Sequence, residues 1–535
     1  MAGWNFADVW ETNAQIVADR DALVHGDHRV TWADMNRRAN GVAGALLSTS
    51  GLAKQDKVAQ YLYNCTEFME SQFAIFKAGL VPVNTNYRYT SEELVYLWDN
   101  ADAVAVVFHE SFTKTVEAIR DRLPKIETYL WVDDSGGGTC PEWAIPYEHA
   151  ATGGTVTNVS GPWGRSGDDL YMLYTGGTTG TPKGVMWPQD ELMKVYRASN
   201  PELPEEVDLN YFVANNPAAA SIGVPCCPQM HGTGALSSHA LLHGGGTVVT
   251  LTSRSFDADE LIDTIEREGV NRLAIVGDAF AKPMVKALDA RPGEREITSL
   301  FAILSSGVMW SQESKAGLLR HQPNMLLIDA FSSSEALGMG QSVSTGTGAA
   351  KTAKFDLGER AIVIDDKGNP IEPGTGEIGR VAVRGVLPIG YYKDAKKTAE
   401  TFITINGERF STPGDYATIE ADGTLTLLGR GSVCINTGGE KVYPEEVEER
   451  LKTHPSVLDA VVVGVPDEKF GEAVTGVVEL RDGYDLDAGS VIAHARETLA
   501  GYKTPKRILT IDTIGRAANG KVDYKRLKSF AVGHI

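Results

Sequence analysis

Helical and strand-like segments alternate along most of this chain, and that alternation narrows its possible folds more than any other feature. Thr66 to Leu80 carries the spacing of an amphipathic helix, and the strand-like Ala103-Val-Ala-Val-Val-Phe108 follows after a polar stretch. From Phe256 to Gly269, the residues Leu261, Ile262 and Ile265 fall on one helical face. Gly269 fits as the stop, and Arg272-Leu-Ala-Ile-Val276 reads as a strand. Repeated alternation of this kind predicts an α/β architecture with largely parallel sheets. At 535 residues the chain is too long for one core. Polar, Gly-rich stretches at 134–139 and 151–168 read as surface connections. After Leu427-Leu-Gly-Arg430 a new pattern starts, which suggests two domains, 1–429 and 430–535. In the second, Pro444–Lys452 is expected to be a short helix, with Glu in its first turn and Arg and Lys in its last. Strands at Ala460–Val465 and Val474–Leu480 and a helix over 487–500 are expected next.

The formal net charge of −20 argues against a general nucleic-acid partner, while leaving room for a local basic site. The five cysteines, Cys65, Cys140, Cys226, Cys227 and Cys434, show no CxxC pair and read as reduced thiols. No stretch reads as a signal peptide, and no apolar run approaches membrane-spanning length. A cytoplasmic protein without integral membrane contact is therefore expected.

Chemistry is concentrated first in Tyr174-Thr-Gly-Gly-Thr-Thr-Gly-Thr-Pro-Lys-Gly184, directly after the apolar Leu170-Tyr-Met-Leu-Tyr174. Four Gly, four Thr and one Lys in eleven positions suit a loop that wraps phosphates. Glycines admit backbone N–H groups close to an anion, hydroxyls add donors, and Lys183 adds charge. The Lys is not followed by Ser or Thr, so this is not a Walker-type loop. Taken alone, such a loop is equally well read as a flexible polar connection.

Five further segments change that balance. They are Pro228-Gln-Met-His-Gly-Thr-Gly234, Ser305-Ser-Gly-Val-Met309 after the apolar Phe301–Leu304, and Asp329-Ala-Phe-Ser-Ser-Ser-Glu335 after Met325–Ile328. Ser411-Thr-Pro-Gly-Asp415 with Gly429-Arg430, and Gly515-Arg-Ala-Ala-Asn-Gly-Lys-Val-Asp523, complete the set. A lone His or Glu in any of them would be an ordinary structural or solvated residue. Read in order, the six resemble the adenylate-forming superfamily of acyl-CoA synthetases, luciferases and peptide-synthetase adenylation domains, and the resemblance covers nearly the whole chain.

The resemblance implies a large N-terminal domain of stacked α/β subdomains and a small mobile α+β C-terminal domain. It also implies ATP, Mg²⁺ and coenzyme A as cofactors. By the same match, Thr175, Gly176, Gly177, Thr178, Thr179, Gly180 and Lys183 grip pyrophosphate. Ser306, Gly307, Asp329, Phe331 and Ser334 line the nucleotide site, with Phe331 stacking on adenine. Glu335 and Thr178 hold Mg²⁺, which on a nucleotide takes only one or two protein oxygens. Asp415 binds the ribose hydroxyls, and Arg430 supplies a planar cation. His231 stands between nucleotide and acyl sites, and Lys521 reaches the α-phosphate. Catalytic roles accordingly fall to Lys521, Glu335 and His231.

Relatives rotate the small domain between half-reactions, which puts the hinge at Ser432. Gly438, Gly439, Glu440 and Lys441 would then approach the pantetheine of CoA. Many relatives carry Asp or Lys at the hinge, and here Ser332 also replaces a Gly in the adenine-side motif. The likeness within the superfamily is to bacterial fatty-acyl and steroid side-chain CoA ligases, through Pro182-Lys-Gly-Val-Met-Trp187 and Ile435-Asn-Thr-Gly-Gly-Glu-Lys-Val442. Trp187, His231, Ser305, Gly307 and Ser332 are the candidate acid-pocket residues. For Trp187, a core aromatic behind the loop is an equal reading.

The expected activity is ATP-dependent joining of a carboxylic acid to CoA through an acyl-adenylate. Alternatives are loading of a separate carrier protein, disfavoured because the chain ends soon after Lys521, and a non-catalytic nucleotide-binding module. A luciferase-like oxygenase has no positive sign. The acid itself and the oligomeric state are not legible here; homodimers are common among related ligases.

Overall fold

The structure, a computed structural model, describes residues 3–175, 181–198, 208–216, 220–437, 440–467, 470–517 and 520–535. Near residue 260, local chemistry builds the expected unit. The Asp257 side chain accepts hydrogen bonds from the backbone N–H groups of Asp259 and Glu260 and so caps the helix Ala258–Glu268, which Gly269 ends at φ 63°. Leu261, Ile262 and Ile265 are fully buried, each worth about 1.5–3 kcal/mol over exposure. The strand Arg272–Ile275 follows.

That strand belongs to a large sheet. Thr247–Thr250, Ile222–Pro225, Arg272–Ile275, Ala302–Ser306 and Leu326–Ser333 lie side by side and parallel. Beyond Leu326–Ser333 the pairing becomes antiparallel, through Ala336–Ser344 and Lys354–Leu357 to Thr424–Arg430 and Asp415–Ile419. This sheet is mixed, where the sequence pattern predicts a largely parallel one. The cause is the lack of long helical crossovers between strands after residue 336, without which neighbours can only run antiparallel.

A second sheet has a parallel centre, Val81–Asn84, Lys57–Tyr61, Ala103–His109 and Thr128–Val132. The hairpin Leu170–Thr175 with Lys183–Pro188 continues one side, and Gly390–Tyr391 adds to its outer strand. A third sheet forms separately from Ile435–Thr437, Glu440–Val442, Val457–Asp467, Gly471–Leu480 and Arg507–Thr510. The helix Pro444–Lys452 has the predicted Pro start and charge polarity. The two long strands of this sheet extend beyond their predicted bounds, and the next helix is shorter, Ala488–Arg496.

One predicted helix differs in kind. Thr66–Lys77 is buried on every side except at Glu67, so it is not amphipathic in its surroundings. Its polar residues are matched inside: Lys77 with Glu11 and Glu70 with Arg38 as ion pairs, Gln72 with His239 and Ser71 with Gln60 by hydrogen bonds. Buried charges persist only with such partners.

Candidate active site

The two ends of the Gly/Thr loop are fixed by the sheet. Thr175 pairs directly with Lys183 across the hairpin, so the loop starts and finishes at one point. Gly176, Gly177, Thr178, Thr179 and Gly180 lie outside the described residues. Behind the loop, the Asn84 carboxamide accepts from Tyr174 N at 2.7 Å and donates to the carbonyls of Tyr174 at 2.9 Å and Met230 at 2.6 Å. One side chain thereby ties the loop strand to the segment carrying His231. Lys183 forms an ion pair with Asp394, which also caps the helix Ala395–Thr401 by accepting from Lys397 N at 2.9 Å.

The serine-rich motifs sit at the carboxyl ends of neighbouring parallel strands, where ligands of open α/β sheets bind. Ser305 and Ser306 are the last residues of Ala302–Ser306, and the turn expected there starts only at Gly307, with φ 103°. Ser305 Oγ accepts from Gly277 N at 2.9 Å, and Thr233 Oγ1 donates to the Ser306 carbonyl at 3.3 Å.

Most of the motif Asp329–Glu335 is itself strand. Period-two alternation turns Asp329 and Phe331 inward and Ala330 and Ser332 outward. Asp329, 3 % exposed, is paired with Lys315 at 3.1 Å, and burial pushes its carboxyl up to about 6 against that pairing. Phe331, 7 % exposed, packs 5.5 Å from the Phe355 ring. Ser332 Oγ accepts from Gly338 N at 3.1 Å. Ser334 offers its carbonyl to Trp187 Nε1–H at 2.8 Å. Trp187 is 2 % exposed in the core, so it meets the site as a strut behind the motif. That geometry favours the core reading over an acyl gate.

Glu335 accepts a hydrogen bond at 2.8 Å from Tyr391 Oη. Tyr391 and Asp394 arrive together because Gly390–Tyr391 pairs with Met186 and Val185 on the far strand of the loop hairpin. Asp415 and Arg430 face each other across adjacent strands, with Arg430 Nε 3.3 Å from Asp415 Oδ1. Burial raises the Asp415 carboxyl pKa, Arg430 opposes the shift, and Asp415 in turn raises the guanidinium. Asp415 Oδ2 is buried with no hydrogen-bond partner among the described residues.

The C-terminal domain closes on this crevice. Gly520 lies so near Val276 and Val308 that a Cβ would stand 3.0 Å from Val276 Cγ1, and its φ is 70°. Arg516, clamped by two hydrogen bonds to Asp459, donates to the Gly520 carbonyl at 3.2 Å. Lys282 Nζ donates to the Leu458 carbonyl at 3.1 Å across the same boundary. This brace delivers Lys521, exposed as a residue but with its charged end crowded by the crevice. Desolvation and then Arg430 lower its pKa, while Glu335 and Asp415 raise it. His231, at the start of the helix Gly232–His243, is held neutral by desolvation and then by Lys521 and Arg88, its pKa pushed down to about 3.

His231, Glu335, Asp415, Arg430 and Lys521 are thus one electrostatic group drawn from four motif segments. Glu440 and Lys441 are exposed on the hairpin after Ile435–Thr437, while Gly438 and Gly439 lie outside the described residues. The Ser432 backbone lies in the 3₁₀ turn Gly431–Val433, and its side chain is outside the description.

The sequence reading missed Asn84, Tyr391 and Asp394. Asp394 had a visible signal as a helix cap, but nothing local connects it to Lys183. Among the described residues no group of three His, Cys, Asp or Glu side chains is placed to hold a metal, and no helix is long and apolar enough to cross a membrane. The five cysteines are unpaired by disulfides.

Residues 10–392 match the family described as AMP-binding enzyme, and residues 446–521 match the AMP-binding enzyme C-terminal domain. A medium/long-chain-fatty-acid–CoA/3-oxocholest-4-en-26-oate–CoA ligase of Mycobacterium tuberculosis (strain ATCC 25618 / H37Rv) is 40 % identical over 531 residues, 98 % of this chain and 95 % of that protein. A 3-oxocholest-4-en-26-oate–CoA ligase of Rhodococcus rhodochrous is 40 % identical over 541 residues, with 98 % and 95 % coverage. Among solved structures, the anthranilate CoA ligase AuaEII in complex with anthranoyl-AMP superposes with a TM-score of 0.84 at 21 % identity, covering 99 % of this chain and 98 % of that one.

Proposed function

The chain belongs to the AMP-binding enzyme family, and on that premise we propose that it is an ATP-dependent acyl-CoA ligase for medium- to long-chain fatty acids and steroid side-chain acids. The observation that carries the reading is the delivery of Lys521, on a Gly520 seated against Val276 and Val308, into the field of Glu335, Asp415 and Arg430. The family and the relatives' names supply the substrate classes.

A carboxylate is a poor electrophile, so the acid must first attack the α-phosphorus of ATP and expel pyrophosphate. Negative charge spreads over the phosphoryl oxygens in that transition state, and fixed cations lower its energy. Lys521 is the cation at the α-phosphate and Lys183 the one at the departing pyrophosphate. Lys183 must leave Asp394 to serve there, so that ion pair is the resting position of the loop's charge. The unpaired Oδ2 of Asp415 suits a ribose hydroxyl donor. Glu335, with one oxygen held by Tyr391, fits Mg²⁺, which on a nucleotide takes only one or two protein oxygens. Glu335 would hold Mg²⁺ there, and the ion would supply positive charge against the phosphates. In the second step the thiol sulfur of CoA attacks the adenylate carbonyl carbon, the thiol loses its proton, and AMP departs. His231 enters both steps as a neutral imidazole, able to touch the acid without drawing its carboxylate into an ion pair.

A screen for CoA-dependent AMP release over short, long, aromatic and steroid carboxylates tests the reading. Release confined to long-chain and steroid acids is expected. Absence of pyrophosphate release with every acid would instead favour a non-catalytic nucleotide-binding module.

A further inference from the structure

We propose that one face of the helix Gly232–His243 ends in a polar subsite, formed by His243 and His239, that takes an uncharged keto or hydroxyl oxygen at the end of the acid remote from its carboxyl group. The proposal rests on the acid-activating reading above.

Gly232, Leu236, His239 and His243 share one helical face by their spacing. The face starts at the site, since a Cβ on Gly232 would stand 3.7 Å from Ser334 Oγ and 3.2 Å from Leu173. With a rise of 1.5 Å per residue, it ends about 16 Å further on. The far end is walled by aromatic rings. His243 has the rings of Phe6, Tyr196 and Trp10 at centroid distances of 4.3, 4.9 and 5.7 Å, and His239 has Tyr171 at 5.0 Å.

The hydrogen bonds fix which atoms are left over. Trp10 Nε1 lies 3.0 Å from His243 Nδ1. An indole nitrogen only donates, so Nδ1 carries no proton. Burial holds the His243 pKa well below its ordinary value, so the ring is neutral and its one proton is on Nε2. That Nε2–H meets no acceptor among the described residues. His239 Nε2 is 2.6 Å from Gln72 Oε1, which makes Nε2 the donor and leaves Nδ1 as an unmatched acceptor. Both side chains are at most 1 % exposed. A buried donor and acceptor are normally matched by protein or ordered water, and these two have no protein partner among the described residues.

The two rings lie 5.9 Å apart by centroids. A keto oxygen uses the His243 donor, and a hydroxyl uses both rings. A neutral, aromatic lining disfavours a second carboxylate or a phosphate, which would enter without a counter-charge.

The test compares two acids of equal length with the full-length enzyme, ATP, Mg²⁺ and CoA. One carries a keto oxygen at the end remote from the carboxyl group, and the other a methylene there. Selectivity is the ratio of their kcat/KM values for AMP release. The wild type is expected to favour the oxo acid by about ten-fold or more, since a site built to pair a polar group penalises its absence. His243→Phe should collapse the ratio to within about two-fold, through a higher KM for the oxo acid, and His243→Gln, which keeps an amide donor, should restore part of it. Trp10→Phe gives an independent arm should His243→Phe fail to fold. Without the indole donor, Nδ1 is free to take the proton and the preference should fall. A wild-type ratio near one, or a ratio that none of these variants moves, overturns the subsite and leaves the ligase reading standing, with buried water the occupant. No AMP from either acid overturns the ligase reading itself.

Discussion

The nucleotide edge of the crevice and the helix floor that runs away from it are built on opposite electrical principles. At the edge, charged side chains act on one another: Lys183 pairs with Asp394 and holds its carboxyl below the usual range, Arg430 pairs with Asp415, and Glu335 pushes the Lys521 pKa up against desolvation. Lys183 and Lys521 use partners distant in sequence, and Arg430 uses one on the adjacent strand. Along the floor, from Gly232 to His243, polarity is carried by neutral imidazoles among aromatic rings. The contrast fits the two ligands proposed for these regions. Phosphate chemistry moves charge and needs preorganised ions, whereas an acyl chain needs dry walls and can be told from its neighbours only by shape and a few unpaired polar atoms.

The strongest way to break that contrast is to remove the charge brought in by the C-terminal domain. Lys521→Ala should lower ATP–pyrophosphate exchange by about 10²–10³-fold, in the range of losing one preorganised donor. Thioesterification of a supplied acyl-adenylate should survive largely intact; equal loss of both half-reactions would sink the role assigned to Lys521.

A smaller effect tests the floor. His239 is fully buried, with its pKa pushed down to about 3 by desolvation. It is neutral in both folded and unfolded chains at pH 7. As pH falls through about 6.5 the unfolded chain takes up a proton that the folded one refuses, so stability is lost down to the folded value. Chemical denaturation at pH 7 and pH 5 should therefore show His239→Gln losing less stability than the wild type, by about 2 kcal/mol. Equal losses would mean that this imidazole is not held neutral.

The smallest effect sharpens the edge. Tyr391→Phe removes the hydroxyl that holds one Glu335 oxygen, and should slow adenylation by about ten-fold or less, the worth of one hydrogen bond. The half-saturating Mg²⁺ concentration should rise with it. A slower rate at an unchanged Mg²⁺ requirement would make Tyr391 a packing residue.

Local rules made much of this legible. The cap at Asp257, the stop at Gly269 and the polarity of Pro444–Lys452 depend on neighbours a few residues away, so a linear reading reaches them. The Gly/Thr loop was only half legible this way: its composition allows a phosphate grip or a plain polar connection, and the five other motifs tip that balance. Thr66–Lys77 misled because its pattern reads as one apolar face, while its polar residues find buried partners as far away as Glu11 and His239. Asp329 was read as nucleotide-facing from its place in a motif. The pleat turns it inward, where it pairs with Lys315, a partner that no local pattern names.

By itself the sequence determined the α/β class, the order of six motifs and the choice of His231, Glu335, Asp415, Arg430 and Lys521 as candidates. Each depends on residue type and local spacing. Only the tertiary structure decided who holds whom: Tyr391 on Glu335, Asp394 on Lys183, Asn84 between two loops, and Trp10 setting the proton on His243. Those pairings join residues from 56 to 233 positions apart. Sheet register and domain closure bring them together, and no local pattern encodes either.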